Sequence, residues 1–141
     1  MESRELLKQH DLRLTDCRVA VLDFMMEHPR AISQPELELQ LSDRFDRVTL
    51  YRTLSTFNEK GLIHEVPDNS GIMKFALCGD ACTTQDHHHH HEHVHFRCNR
   101  CQTTVCINEV DVPRLALPEG FEPLKFSFVI EGICRDCQAL S

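Results

Sequence analysis

No stretch of the 141 residues approaches the roughly 20 consecutive apolar side chains that a membrane-spanning helix needs, so the sequence reads as that of a soluble protein. Residues 1–30 also lack an apolar run followed by small residues, the mark of a cleavable leader, and the thiols are expected to stay reduced in a cytoplasm. Positive charge is scarce. Fifteen Lys and Arg face 22 Asp and Glu, a net charge of -7, which excludes a protein that coats nucleic acid through a broad basic field. A local basic face is still allowed, because residues 1–60 carry nine basic against eleven acidic side chains, and residues 61–141 carry six against eleven. Eight cysteines are too few for a disulfide scaffold of this length. The length suits one domain, or two small ones if each has its own staple, and metal is the expected staple.

What is present reads, along the first half, as four helices and a hairpin. Glu2 to Gln9 predicts a short helix, and a second starts after Thr15, turning Val19, Leu22 and Met25/Met26 toward a core before the break at His28-Pro29. Ser33-x-x-Glu36 is a capping box with Pro35 in the first turn, opening a helix that uses Leu37 and Leu41. Asp46 caps a fourth helix with Leu50, Leu54 and Phe57 on one face, stopped by Gly61. Its other stripe holds Arg47, Tyr51, Ser55 and Asn58, with Thr49 near its start and Arg52 beside it. Such groups meet bases and phosphates in a major groove, although the stripe alone suits an ordinary solvated face equally well.

Context favours the groove. Leu62 to Val66 and Ile72 to Leu77 predict two strands around Pro67-Asp68-Asn69-Ser70-Gly71, centred on Asn69 so that Val66 faces Ile72 and His64 faces Lys74. Helix, turn, helix and hairpin make a winged helix. The expected class is α+β: a winged helix-turn-helix domain over residues 1–78, a His-rich hinge over 79–92 and a small α/β domain over 93–141. In the last, strands are predicted at Thr104 to Ile107 and through Leu124, Phe126, Phe128 and Ile130, with a helical stretch near Asp111 to Leu117. Its core looks thin, which points to metal and to pairing with a second chain.

Cys98-x-x-Cys101 and Cys134-x-x-Cys137 are two thiolate pairs whose spacing lets each tight turn aim two sulfurs at one ion, together a closed tetrahedral zinc site. A redox CxxC or two disulfides fit less well in a reduced compartment without a thioredoxin-like βαβ pattern. A second set comprises Cys78, Cys82, His87 to His91, His93 and His95. The five consecutive histidines read best as a solvated metal-scavenging linker. His93 and His95 alternate at strand spacing just before Cys98, so both imidazoles share a face. With the hairpin centred as above, Cys78 shares the face of His64, and a site of His64, Cys78, His93 and His95 would bridge the two halves, with Cys82 as second choice for the thiolate. Cys17 and Cys106 read as small buried hydrophobes. No nucleophile, base and oxyanion arrangement is legible, so an enzyme is not expected.

Taken in order, Leu12-Arg13-Leu14-Thr15-x-x-Arg18, Val48-Thr49-Leu50-Tyr51-Arg52-Thr53-Leu54, Gly61-Leu62-Ile63, His93-x-His95-x-x-Cys98-x-x-Cys101 and Gly132-x-Cys134-x-x-Cys137 resemble the ferric uptake regulator superfamily, most closely its zinc uptake regulator branch. The resemblance implies a homodimer whose C-terminal domain dimerises and whose winged helices bind a palindromic operator in double-stranded DNA when metal is bound. It implies DNA contacts by Tyr51 and Arg52 and by Arg13 ahead of the second helix, structural zinc at the four cysteines, and a regulatory site at His64, Cys78, His93 and His95. A thiolate among imidazoles suits zinc, whereas oxygen-rich sites suit iron or manganese. The expectation is thus a zinc-responsive repressor of metal-uptake genes. An iron- or peroxide-responsive regulator of the same family, and a zinc-storage protein or metallochaperone using the His run, are the alternatives.

Overall fold

The computed structural model describes residues 2–77, 94–107, 110, 113, 115–124 and 127–140. Helices α1 (Ser3–Gln9), α2 (Asp16–Glu27), α3 (Gln34–Leu41) and α4 (Arg47–Glu59) occur where the hydrophobic spacing predicts them. Three are started by side chains that satisfy otherwise orphaned amides. Thr15 Oγ1 accepts from the Arg18 amide at 3.2 Å, Ser33 Oγ from the Glu36 amide at 3.2 Å, and Asp46 Oδ1 from the Thr49 amide at 2.7 Å. Only half of the expected capping box at Ser33 forms. The Glu36 carboxylate pairs with the Arg30 guanidinium, a charged bidentate partner that outcompetes a single backbone amide.

One apolar cluster unites these helices. Leu7, Leu22, Leu37, Leu50, Phe57 and Ile63 are almost wholly buried, each contributing about 1.5–3 kcal/mol by leaving water. Helix α4 buries Leu50, Leu54 and Phe57 and ends at Gly61, whose φ of 77° is a conformation that glycine adopts without strain. Behind it, β1 (Ile32–Ser33), β2 (Ile63–Val66) and β3 (Lys74–Leu77) form an antiparallel sheet in the order β1-β3-β2, completing a winged helix. The hairpin register departs from expectation by two residues: His64 pairs with Ala76 and Val66 with Lys74. The connection is longer because Asp68 Oδ1 accepts from the Ser70 amide at 3.0 Å and Asn69 and Gly71 take positive φ, which carries the turn on through exposed Ile72 and Met73. The shift is even, so side-chain parity is kept.

The second half is built on β4 (Val94–Cys98), which pairs antiparallel with β5 (Thr104–Ile107) and parallel with β6 (Phe128–Gly132). A short α5 (Arg135–Ala139) follows. Two expectations fail here. The strand predicted from Leu124 is confined to Phe128–Gly132, with Leu124 itself 91% exposed, and Phe126 lies outside the described residues. No helix occurs at residues 115–117 of the predicted Asp111 to Leu117 stretch, where Pro118 disfavours helical backbone at Leu117. Among the described residues of this half the buried apolar side chains are Val94, Cys98 and Cys137. The halves meet where the Ala31 amide donates to the Thr104 carbonyl at 2.7 Å and where Ala31, Val66 and Ala76 pack with Cys106. Among the described residues no helix is long and apolar enough to cross a membrane.

Candidate metal centres and nucleic-acid face

The turn after β4 and the turn entering α5 bring Cys98, Cys101, Cys134 and Cys137 together, their sulfurs all within 4.8 Å of one another. Cys98 Sγ lies 3.7 Å from Cys137 Sγ, and Cys101 Sγ lies 3.9 Å from Cys134 Sγ. These distances are far too long for disulfides. They match the roughly 3.8 Å edge of a tetrahedron with sulfurs about 2.3 Å from a central zinc. Three backbone amides, those of Arg100, Cys101 and Cys134, point at Cys98 Sγ from 3.4–3.5 Å. The Cys101 and Cys134 amides hold that thiol down to about 6, whereas burial and neighbouring sulfurs push Cys137 up to about 12. Four sulfurs so close cannot all ionise alone, and a divalent cation resolves the conflict. The donor set fits zinc, and with all four positions filled by protein the site would brace the fold and leave no place for a substrate.

A second cluster lies between the halves. His64 on β2, His95 on β4 and Cys106 on β5 place one ligand atom each within 4.8 Å of the other two. His95 and Cys106 are direct cross-strand partners, so their side chains leave the sheet on the same face. They meet His64 there, with Cys106 Sγ 3.5 Å from His64 Nε2 and the two imidazole centroids 6.1 Å apart. Both histidines are 2% exposed. Of the four ligands expected for a bridging site, His64 and His95 come together, while Cys78 and His93, with Cys82 and His87 to His91, lie outside the described residues. Cys106 is the residue the sequence reading missed. Taken there as a buried hydrophobe, it is half-buried and faces two imidazoles. No rule of spacing identifies a lone strand cysteine as a ligand, and only the β4–β5 register puts it opposite His95. Cys17 does match its reading, buried with Sγ 3.3 Å from Thr53 Oγ1.

The polar stripe of α4 faces outward. Arg47, Thr49, Tyr51 and Arg52 are exposed, and Tyr51, Ser55 and Asn58 line an open groove of about 570 Å³ between α3, α4 and the β2–β3 turn. Arg47 extends into solvent and touches Glu38 on α3 at 3.2 Å, a pair loose enough to be exchanged for a phosphate. Arg13 is exposed at the entrance to α2, its carbonyl accepting from Arg18 Nη1 at 2.8 Å, which fixes the backbone there.

With this geometry in view, the comparisons with known proteins agree. A family model described as the ferric uptake regulator family matches residues 9–118. The ferric uptake regulation protein of Staphylococcus aureus is 32% identical over 139 residues, spanning 95% of this chain and 94% of its own length. That of Staphylococcus epidermidis is 30% identical over 139 residues, spanning 95% and 92%. Among solved structures, the Vibrio cholerae ferric uptake regulator superposes with a TM-score of 0.62 at 19% identity, covering 94% of this chain and 100% of that one. A zinc-bound manganese uptake regulator does so with a TM-score of 0.63 at 15% identity, covering 95% and 99%. At such identities the two structures speak for the fold alone. Winged helix, four-cysteine cluster and sequence similarity over most of the length converge: the chain belongs to the ferric uptake regulator family of DNA-binding, metal-responsive transcriptional regulators, and is not an enzyme.

Proposed function

We propose that this protein is a zinc-responsive repressor of metal-uptake genes, working in the cytoplasm as a homodimer on a palindromic operator. The observation that carries the reading is the His64, His95 and Cys106 cluster, which draws ligands from both halves. A metal held there joins the wing to the C-terminal sheet, so that occupancy sets the angle between them. Cys78 or His93 supplies the fourth ligand. Two imidazoles with a thiolate form a soft, nitrogen- and sulfur-rich set that prefers zinc to ferrous iron or manganese, although the relatives are named for iron.

In the dimer, residues 1–78 bind DNA, residues 79–92 act as a His-rich hinge, and residues 93–141 pair the subunits. Exposed Leu115, Phe121 and Ile130 supply apolar surface suited to that pairing. Arg47, Thr49, Tyr51 and Arg52 enter the major groove and Arg13 contacts the neighbouring backbone, two subunits reading half-sites about 34 Å apart. The test is an electrophoretic shift assay on a palindromic operator with zinc, iron or manganese. Zinc should promote binding at the lowest free concentration. Equal binding with and without a chelator mild enough to spare the four-cysteine site would overturn the sensor reading, and a stronger response to iron would reassign the signal.

A further inference from the structure

We propose that Asp68 and Thr104 form a metal-independent latch between the wing and the C-terminal sheet, and that this latch sets how tightly the neighbouring His64, His95 and Cys106 cluster holds its metal. The proposal rests on the reading of that cluster as the regulatory site. Asp68 is 2% exposed, and a buried carboxylate is tolerated only when its oxygens are satisfied. Oδ1 accepts from the Ser70 amide at 3.0 Å, and Oδ2 accepts from Lys74 Nζ at 2.6 Å and from Thr104 Oγ1 at 2.7 Å. Two of the donors belong to the wing itself. The third comes from β5 in the other half.

Thr104 is fully buried and is engaged twice, because its carbonyl also accepts from the Ala31 amide at 2.7 Å. One residue of the C-terminal sheet is thus bonded to the loop before β1 and to the wing turn. Its position on β5 gives the latch its consequence. Thr104 and Cys106 are two apart on one strand and share a face, and Asp68 lies four residues beyond His64. The latch therefore presses β5 against the wing at the point where Cys106 reaches His64. A metal that binds only the closed arrangement gains apparent affinity in proportion to how often that arrangement is populated beforehand. A hydrogen bond to a buried charge shifts the ratio of closed to open forms by about tenfold to hundredfold.

Thr104→Val keeps the shape and the main-chain bond to Ala31 but removes the donor to Asp68, whereas Thr104→Ser keeps the hydroxyl. Both are made in the full chain with the four-cysteine site loaded. Zinc affinity of the second site is measured by competition with a chromophoric chelator, and hydrogen exchange of the Ala31 amide is followed without second-site metal. Thr104→Val should weaken zinc binding and speed Ala31 exchange by factors whose product is about tenfold to hundredfold, and Thr104→Ser should restore both. Unchanged exchange in Thr104→Val, or no restoration by Thr104→Ser, would show that no latch exists. Faster exchange with unchanged zinc affinity would sever the latch from the metal and overturn the coupling. Failure of the underlying site reading is seen separately, as unchanged zinc stoichiometry in Cys106→Ala, because Ala31 exchange needs no second metal.

Discussion

Truncating Phe57 and Tyr51 in turn separates what holds α4 in place from what it presents. Phe57 is fully buried in the cluster that includes Leu22, Leu37 and Ile63. Phe57→Ala removes the ring from a packed site, at a cost of about 3–5 kcal/mol. In a unit the size of residues 2–77, each kcal/mol lowers the melting temperature by about 4–8 °C, so a fall of about 12–40 °C is expected in circular dichroism melts. Tyr51, on the opposite stripe, is 58% exposed, and Tyr51→Ala should stay within about 0.5 kcal/mol of the parent. Its loss should instead weaken operator binding by about tenfold to hundredfold, the range for a side chain that meets a base edge. Leu39→Ala, at a position 82% exposed on α3, should change neither quantity and serves as control. Phe57→Ala melting within about 4 °C of the parent would refute the packing argument, and Tyr51→Ala binding the operator like the parent would refute the groove-reading one.

Cys98→Ser should abolish tightly held zinc, measured as metal content after dialysis, and unfold the second half, since Cys98 and Cys137 make up most of its buried apolar side chains among the described residues. Burial raises the Asp68 carboxyl, but its bonds to Lys74, Ser70 and Thr104 prevail and hold it well below the usual carboxylate range. Its contribution is therefore complete above the unfolded value of about 3.9 and lost as pH falls toward the folded one, so Asp68→Asn should lower stability at neutral pH and flatten the acid limb of stability against pH. Asp46→Ala removes the acceptor for the Thr49 amide and should produce a small fall in melting temperature that Asp46→Asn restores, with operator affinity weakened in parallel as the first turn of α4 frays.

Features governed by near neighbours in the chain were legible beforehand. The caps at Thr15, Ser33 and Asp46, the two faces of α4 and the stop at Gly61 each depend on residues within about one or two helical turns, where spacing dictates geometry. The hairpin strands were legible too, but their register was not, because the Asp68 turn absorbs two more residues than a centre on Asn69 allows. The Leu124 to Ile130 alternation promised a strand from Leu124, but among the described residues pairing with β4 runs over Phe128–Gly132.

The candidate metal centres divide in the same way. Two CxxC turns announce a four-thiolate cluster because each pair is local and only their meeting needs the fold. The approach of Cys106 to His64 across 42 residues, and of Thr104 to Asp68 across 36, has no trace in composition or periodicity. Sequence alone thus determined which segments become helices, which helix turns an arginine- and tyrosine-bearing face outward, and which four cysteines gather in one cluster. Tertiary structure decided which strand meets the wing, and hence that a cysteine and a threonine on β5 face His64 and Asp68. Contacts of that range follow from how whole surfaces pack and close, not from the repeat of any single element.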